Sequence, residues 1–117
     1  MTTAKFHVKR YDLQPPYRVQ VINSSGTPED ISAAVIVFAM ENKATGVLVN
    51  SGTTAGCSLT NPTSGIFDYV WQASDTVQAG VFKIEFEITP TAGGKFSIPA
   101  KDEDEAIVII GEDLNNG

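Results

Sequence analysis

Few residues in this chain have the right type and spacing to do chemistry. There is one histidine, His7, and one cysteine, Cys57. A Cys–His or Ser–His relay needs nucleophile and base within hydrogen-bond reach, and nothing in the spacing brings these two together. His7 stands between Phe6 and Val8 in an alternating stretch, which puts it on the wet face of a strand as a solvated side chain. Cys57 has no partner for an intrachain disulfide and reads as a small, partly buried hydrophobe. Glu85 and Glu87 share one face of an alternating run. Paired carboxylates can cleave glycosidic bonds, but two charges on the outer face of a strand are also what solvation alone produces. Asp102-Glu103-Asp104-Glu105 offers oxygens of the kind Ca²⁺ takes. Consecutive residues of an extended chain point alternately, so at most two converge. The run reads as a solvated charge cluster that also guards a sheet edge. Phosphate-loop, metal-finger and nucleophile-elbow patterns are absent from the sequence. The expectation is a protein without catalysis, metal or cofactor.

Phe67, Tyr69 and Trp71 recur at every second position. Such a row could stack sugars or bases, making a carbohydrate-binding module the alternative. Its reading here is core, because aromatics supply much of the buried area of a small β domain.

The formal net charge of −6 disfavours nucleic acid or anionic lipid as a partner. The two ends differ in sign: Lys5, Lys9, Arg10 and Arg18 lie near one, and Asp102 to Glu105, Glu112 and Asp113 near the other. Two accounts are open: pairing within the chain between neighbouring first and last strands, or head-to-tail contact between subunits. No apolar stretch is long enough for a membrane-spanning helix. Residues 1–20 carry four basic residues and no apolar run, unlike a secretory leader, so folding in a cytoplasm is expected.

The elements that must position these residues are strands. At 117 residues the chain is one domain, 1–117. Phe6 and Val8 alternate with Lys5, His7 and Lys9; Pro15-Pro16 then forces an extended crossing. Tyr17, Val19 and Val21 line the next strand, and Asn23-Ser24-Ser25-Gly26 is turn chemistry. Asp30 is placed to cap one short helical turn. Val35 to Met40 is apolar throughout, which predicts a strand covered on both faces. A loop from Glu41 to Gly46 leads to Val47–Val49; Ser51–Gly65 reads as a long loop with one short strand near Cys57-Ser58-Leu59. Beyond the aromatic strand, Phe82, Ile84, Phe86 and Ile88 alternate with Lys83, Glu85 and Glu87. Phe96–Ile98, Pro99 as an edge or strand switch, and Ala106–Ile110 complete the set. Eight or nine short strands with turn signals between them predict a Greek-key β-sandwich.

Asp75-Thr76 followed by Gly80-Val-Phe82 sits where immunoglobulin-like domains carry Asp-x-Gly-x-Tyr-x-Cys. Phe82 replaces the tyrosine and Ile84 the cysteine. The expectation is a corner without its hydroxyl bond and sheets joined by apolar contact alone. The chain also resembles the N-terminal domain of phage baseplate upper proteins. That family carries Gly-x-Pro-x-Asp-Leu-Thr-Gly-Ala-x-Val-x-Phe, similar to Gly26-Thr-Pro28-Glu-Asp30-Ile-Ser-Ala-Ala34-Val-Ile-Val37-Phe38. It continues with Tyr-x-Trp-x-Ala-x-Asp-Thr-x-x-Ala-Gly-x-Tyr, similar to Tyr69-Val-Trp71-Gln-Ala73-Ser-Asp75-Thr76-Val-Gln-Ala79-Gly80-Val-Phe82. A proline precedes its last strand, as Pro99 does here.

The resemblance implies an immunoglobulin-like, non-catalytic virion protein at the tail or baseplate, with Tyr69, Trp71, Asp75, Gly80 and Phe82 as the core motif. It implies other phage virion proteins and further copies of itself as partners. Fuller members of the family continue into a helical or fibre-carrying region, whereas this sequence ends at Gly117. Capsid decoration is therefore the alternative placement. Tyr11, Tyr17 and Arg18 are the candidate interface anchors, since Tyr and Arg are enriched at binding hot spots.

Overall fold

A computed structural model of the chain describes residues 3–23, 25–91, 93–99 and 105–112, with the backbone alone at Thr3, Ala4 and Glu105. Nine strands are present among the described residues: β1 (Thr3–Lys9), β2 (Tyr17–Gln20), β3 (Val35–Asn42), β4 (Leu48–Thr53), β5 (Cys57–Asn61), β6 (Ile66–Tyr69), β7 (Gly80–Thr89), β8 (Phe96–Ile98) and β9 (Glu105–Gly111). The helical content among the described residues is two single 3-10 turns, Pro62–Ser64 and Ala73–Asp75. No helix among them is long and apolar enough to cross a membrane.

The strands form two sheets. The larger has the order β1-β9-β7-β3-β4, with β8 also paired to β7; the smaller has the order β2-β6-β5. This is the all-β sandwich that the turn spacing predicts, with sequential strands distributed between the two sheets. The first and last strands are neighbours and parallel, from Thr3↔Glu105 to Lys9↔Gly111. On β7, one edge is taken by β3 along its length. The other edge is shared, with β9 on residues Gly80–Ile84 and β8 on residues Phe86–Ile88. Strands β8 and β9 thus share one side of β7 between them, and β9 is flanked on its other side by β1.

Alternation decides which side chains meet between the sheets. Phe82, Ile84, Phe86 and Ile88 of β7 are buried, as are Ile36, Phe38 and Met40 of β3, Val108 and Ile110 of β9, and Phe67 and Tyr69 of β6. Their rings interlock across the gap. Phe38 of the large sheet stacks on Tyr69 of the small one at 3.8 Å, and Phe67 meets Phe86 edge-on at 5.0 Å. The edge-on geometry of the second pair is favourable for aromatic quadrupoles.

Gly65 ends the first 3-10 turn at φ 75°, and a Cβ there would lie 2.6 Å from the Val21 carbonyl oxygen. Only glycine allows that approach, and it lets Val21 donate its N–H to the Gly65 carbonyl at 2.8 Å, seating the chain just past β2.

Three sequence expectations differ in detail. Asp30 caps no helical turn: its Oδ1 accepts the Ser32 N–H at 2.9 Å and the Ser32 hydroxyl at 2.6 Å, an Asx-turn that competes with helix. The stretch Ser51–Gly65 is less loop than expected, since β4 runs to Thr53 and β5 to Asn61. Strand β3 is covered on one face only: Val35 is 53% exposed, and Val37 and Ala39 are half-buried. The acidic run at Asp102–Asp104 and the segment from Asp113 onward lie outside the described residues, as does the Glu105 side chain.

Candidate functional site

The corner between β6 and β7 gathers the core motif. Tyr69 closes β6, and Trp71 lies two residues beyond it, still directed inward. A 3-10 turn over Ala73–Asp75 then redirects the chain, and Asp75 forms a reciprocal capping box with Gln72. Asp75 is 1% exposed. Its Oδ2 accepts the Tyr69 hydroxyl at 2.5 Å and the Gln72 backbone N–H at 2.8 Å, and its Oδ1 faces the Asn50 amide at 3.3 Å. The carboxylate is therefore met by three donors without a cation. Burial, with the Asp75 hydrogen bond adding, raises the Tyr69 hydroxyl far above its ordinary pKa and keeps it a donor.

This arrangement corrects the expectation of purely apolar contact between the sheets. Phe82 does lack the hydroxyl, but Tyr69 supplies one to the same corner. Asn50 sits on β4 and Tyr69 on β6, so Asp75 links the two sheets through side-chain bonds. Trp71 adds a second tie, donating its indole N–H to the Pro15 carbonyl on the crossing between β1 and β2 at 3.0 Å. Trp71 is 1% exposed and Tyr69 is fully buried. These rings are enclosed, and they offer no open platform for stacking a sugar. Gly80 opens β7 at φ 150°, a conformation closed to other residues without strain, with the Phe82 ring 3.4 Å from where a Cβ would stand.

The three candidate anchors are separated by the fold. Tyr17 is half-buried between the sheets, edge-on to Phe6 at 5.2 Å and stacked with Phe86 at 6.1 Å. Burial raises its hydroxyl pKa. Its ring is committed to the core. Tyr11 is 42% exposed at φ 70°. Arg10 lies over its ring at 4.9 Å, donates to its hydroxyl at 2.8 Å and pairs with Glu112 at 3.0 Å. Of the opposite charges at the two ends of the sequence, this pair meets within the chain. Arg18 instead reaches sideways from β2 to Asp68 of β6 in a two-pronged bond of 2.8 and 3.1 Å. Its side chain remains 65% exposed.

His7 is exposed on β1, as its alternation predicts. Cys57 is half-buried in a shallow 350 Å³ cleft lined by Ala34, Val35, Ile36, Thr54 and Leu59, and burial pushes its thiol up to about 11. A thiol so raised is protonated at neutral pH and a poor nucleophile. Among the described residues, no three His, Cys, Asp or Glu side chains gather as metal ligands would. A wider cleft of 480 Å³ at one end of the sandwich is lined by Val21, Ile22, Asn23, Glu29, Phe96 and Ile98 among others. Its one ionisable lining group is Glu29, so it lacks converging polar chemistry.

Sequence reasoning missed the outer face of the large sheet. Val35, Val37 and Ala39 of β3, Val81 of β7 and Ile107 and Ile109 of β9 all point away from the core in register. The signal was present in Val35–Met40, whose apolar residues occupy both parities.

No family model matches the chain, and neither a curated protein nor a solved structure was found similar to it.

Proposed function

We propose that this chain is a non-catalytic structural protein of a tailed-phage virion, docking by protein–protein contact at the tail or baseplate. One observation carries the reading. The segment Tyr69–Phe82, on which the resemblance to baseplate upper proteins rests, is the interior clamp of a sandwich: Tyr69, Trp71, Asp75 and Phe82 are all enclosed. The resembled residues therefore build a scaffold and leave the outer surfaces for partners. Tyr11 and Arg18 lie on those surfaces, and the exposed Val35, Val81 and Leu48 enlarge the apolar area available for contact.

The test is quantitative mass spectrometry of purified particles, followed by electron microscopy. The expected result is this chain in multiple copies per particle, with density at the tail or baseplate. Copies in the hundreds on the head shell would move the assignment to capsid decoration. Absence from washed particles would overturn both.

A further inference from the structure

The outer face of the large sheet carries apolar residues on β3 and β9 between charged positions on β1 and β7. Every outward position of β3 from Val35 to Ala39 is apolar, and so are Ile107 and Ile109 of β9. Ile107 is 5% exposed although it faces away from the core, and its register partners on the two flanking strands are Lys5 and Lys83. Long lysine stems cover such a residue and hold their ammonium groups at the rim. Val81 is 42% exposed and Leu48, on β4, 56% exposed.

The charges on this face are sorted along the strands. Toward the start of β7 the face carries Lys83, with Lys5 level with it across β9, Lys9 further along β1, and the carboxylate of Glu41 opposite Lys83 on β3. Further along the same strand it carries Glu85, exposed, and Glu87, which has Lys95 at 3.9 Å. Three lysines against Glu41 leave the first end net basic, and Glu85 and Glu87 against Lys95 leave the second net acidic, so the face is complementary to a copy of itself turned end for end. Two-fold symmetry supplies that arrangement, since an isologous contact uses the same patch twice.

We propose that this face is a self-association surface whose occupant is a second copy of the chain, with β7 of one protomer antiparallel to β7 of its partner. In this packing the Lys83 end of each copy lies over the Glu85–Glu87 end of the other. The apolar residues of β3 and β9 are sealed between the two sheets, and the charges fix the direction of approach. The proposal deepens the reading of the domain as a protein-contact scaffold and rests on it.

The test uses the purified full chain. Sedimentation equilibrium across a concentration series is expected to show a monomer–dimer equilibrium that weakens as salt rises. Lys83→Glu alone and Glu85→Lys/Glu87→Lys together each place like charges in opposition, and each is expected to weaken the dimer about tenfold or more. An equimolar mixture of the two variants is expected to dimerise again, because each then meets its opposite. Circular dichroism checks that both variants keep the native fold, which their outward positions favour. A wild type that stays monomeric at every concentration overturns the proposal. So does a dimer indifferent to both reversals, or a mixture that fails to recover. These failures concern self-contact alone. Particle composition tests the virion reading separately.

Discussion

Asp68 and Asp75 are both buried carboxylates at 8% and 1% exposure, one on β6 and the other in the turn that follows, yet they are held in opposite ways. Asp68 faces outward on the small sheet and is gripped by the guanidinium of Arg18, itself mostly in water. Asp75 faces inward and is held by a hydroxyl, a backbone N–H and a side-chain amide. The first is a charge pair with one partner able to leave. The second is a network in which each donor would be stranded without the carboxylate. The difference shows that a charge-assisted bond contributes according to what its loss leaves behind, more than according to its formal charges.

The comparison breaks most sharply with Asp75→Ala. Removing that acceptor leaves the Tyr69 hydroxyl and the Gln72 N–H buried without partners, so a loss of about 3 kcal/mol or more is expected from urea unfolding. A loss below about 1 kcal/mol would mean that the donors find other partners and that the clamp is dispensable.

Tyr69→Phe is milder, about 1–2 kcal/mol, since Asp75 keeps two donors. It also changes the response to alkali. The folded state holds the Tyr69 hydroxyl above its unfolded value, which favours the protonated form. That stability is fully present below about pH 10 and is lost as pH rises further. Tyr17, and Cys57 with its thiol at about 11, titrate in the same direction. Wild-type stability should therefore decline from about pH 9, and the Tyr69→Phe protein less steeply, when urea midpoints at about pH 8 and pH 11 are compared. Parallel declines in the two proteins would remove Tyr69 as the cause.

Arg18→Ala should cost only about 1 kcal/mol or less, because the departing side chain opens Asp68 to water. Its effect should shrink in high salt, whereas that of Asp75→Ala should not.

The smallest expected effect is a gain. Ala33 sits at φ 60°, where the resembled phage pattern carries glycine. Ala33→Gly relieves the left-handed strain at some cost in unfolded-chain entropy, and a rise of about 0.5 kcal/mol is expected in thermal or urea unfolding. A loss of stability would show that the Ala33 methyl contributes packing that outweighs the strain.

The strands were legible because period two is a direct record of burial. Phe82 to Ile88 shows it without interruption, and those four apolar side chains are buried as their spacing requires. The enclosure of Trp71 and Tyr69 followed from the same argument. The Asp75 network was not legible, because it depends on which of several polar groups the corner brings within bonding distance. The motif drew attention to position 82, where the hydroxyl is missing, while the hydroxyl came from Tyr69 on the preceding strand. A tyrosine ending an aromatic strand shortly before a turn aspartate was the available signal. Val35–Met40 misled for a related reason: composition records that both parities are apolar, but does not say whether the fold covers both faces.

The parallel register of β1 and β9 has a mechanical consequence. Seven residue pairs join the two strands, from Thr3↔Glu105 to Lys9↔Gly111. A pull applied through the segments outside them draws the strands lengthwise past each other. The rungs then carry the load together and must rupture as a set, whereas a hairpin peeled from its open end gives way one rung at a time. The domain is thus braced against tension applied along the β1–β9 axis.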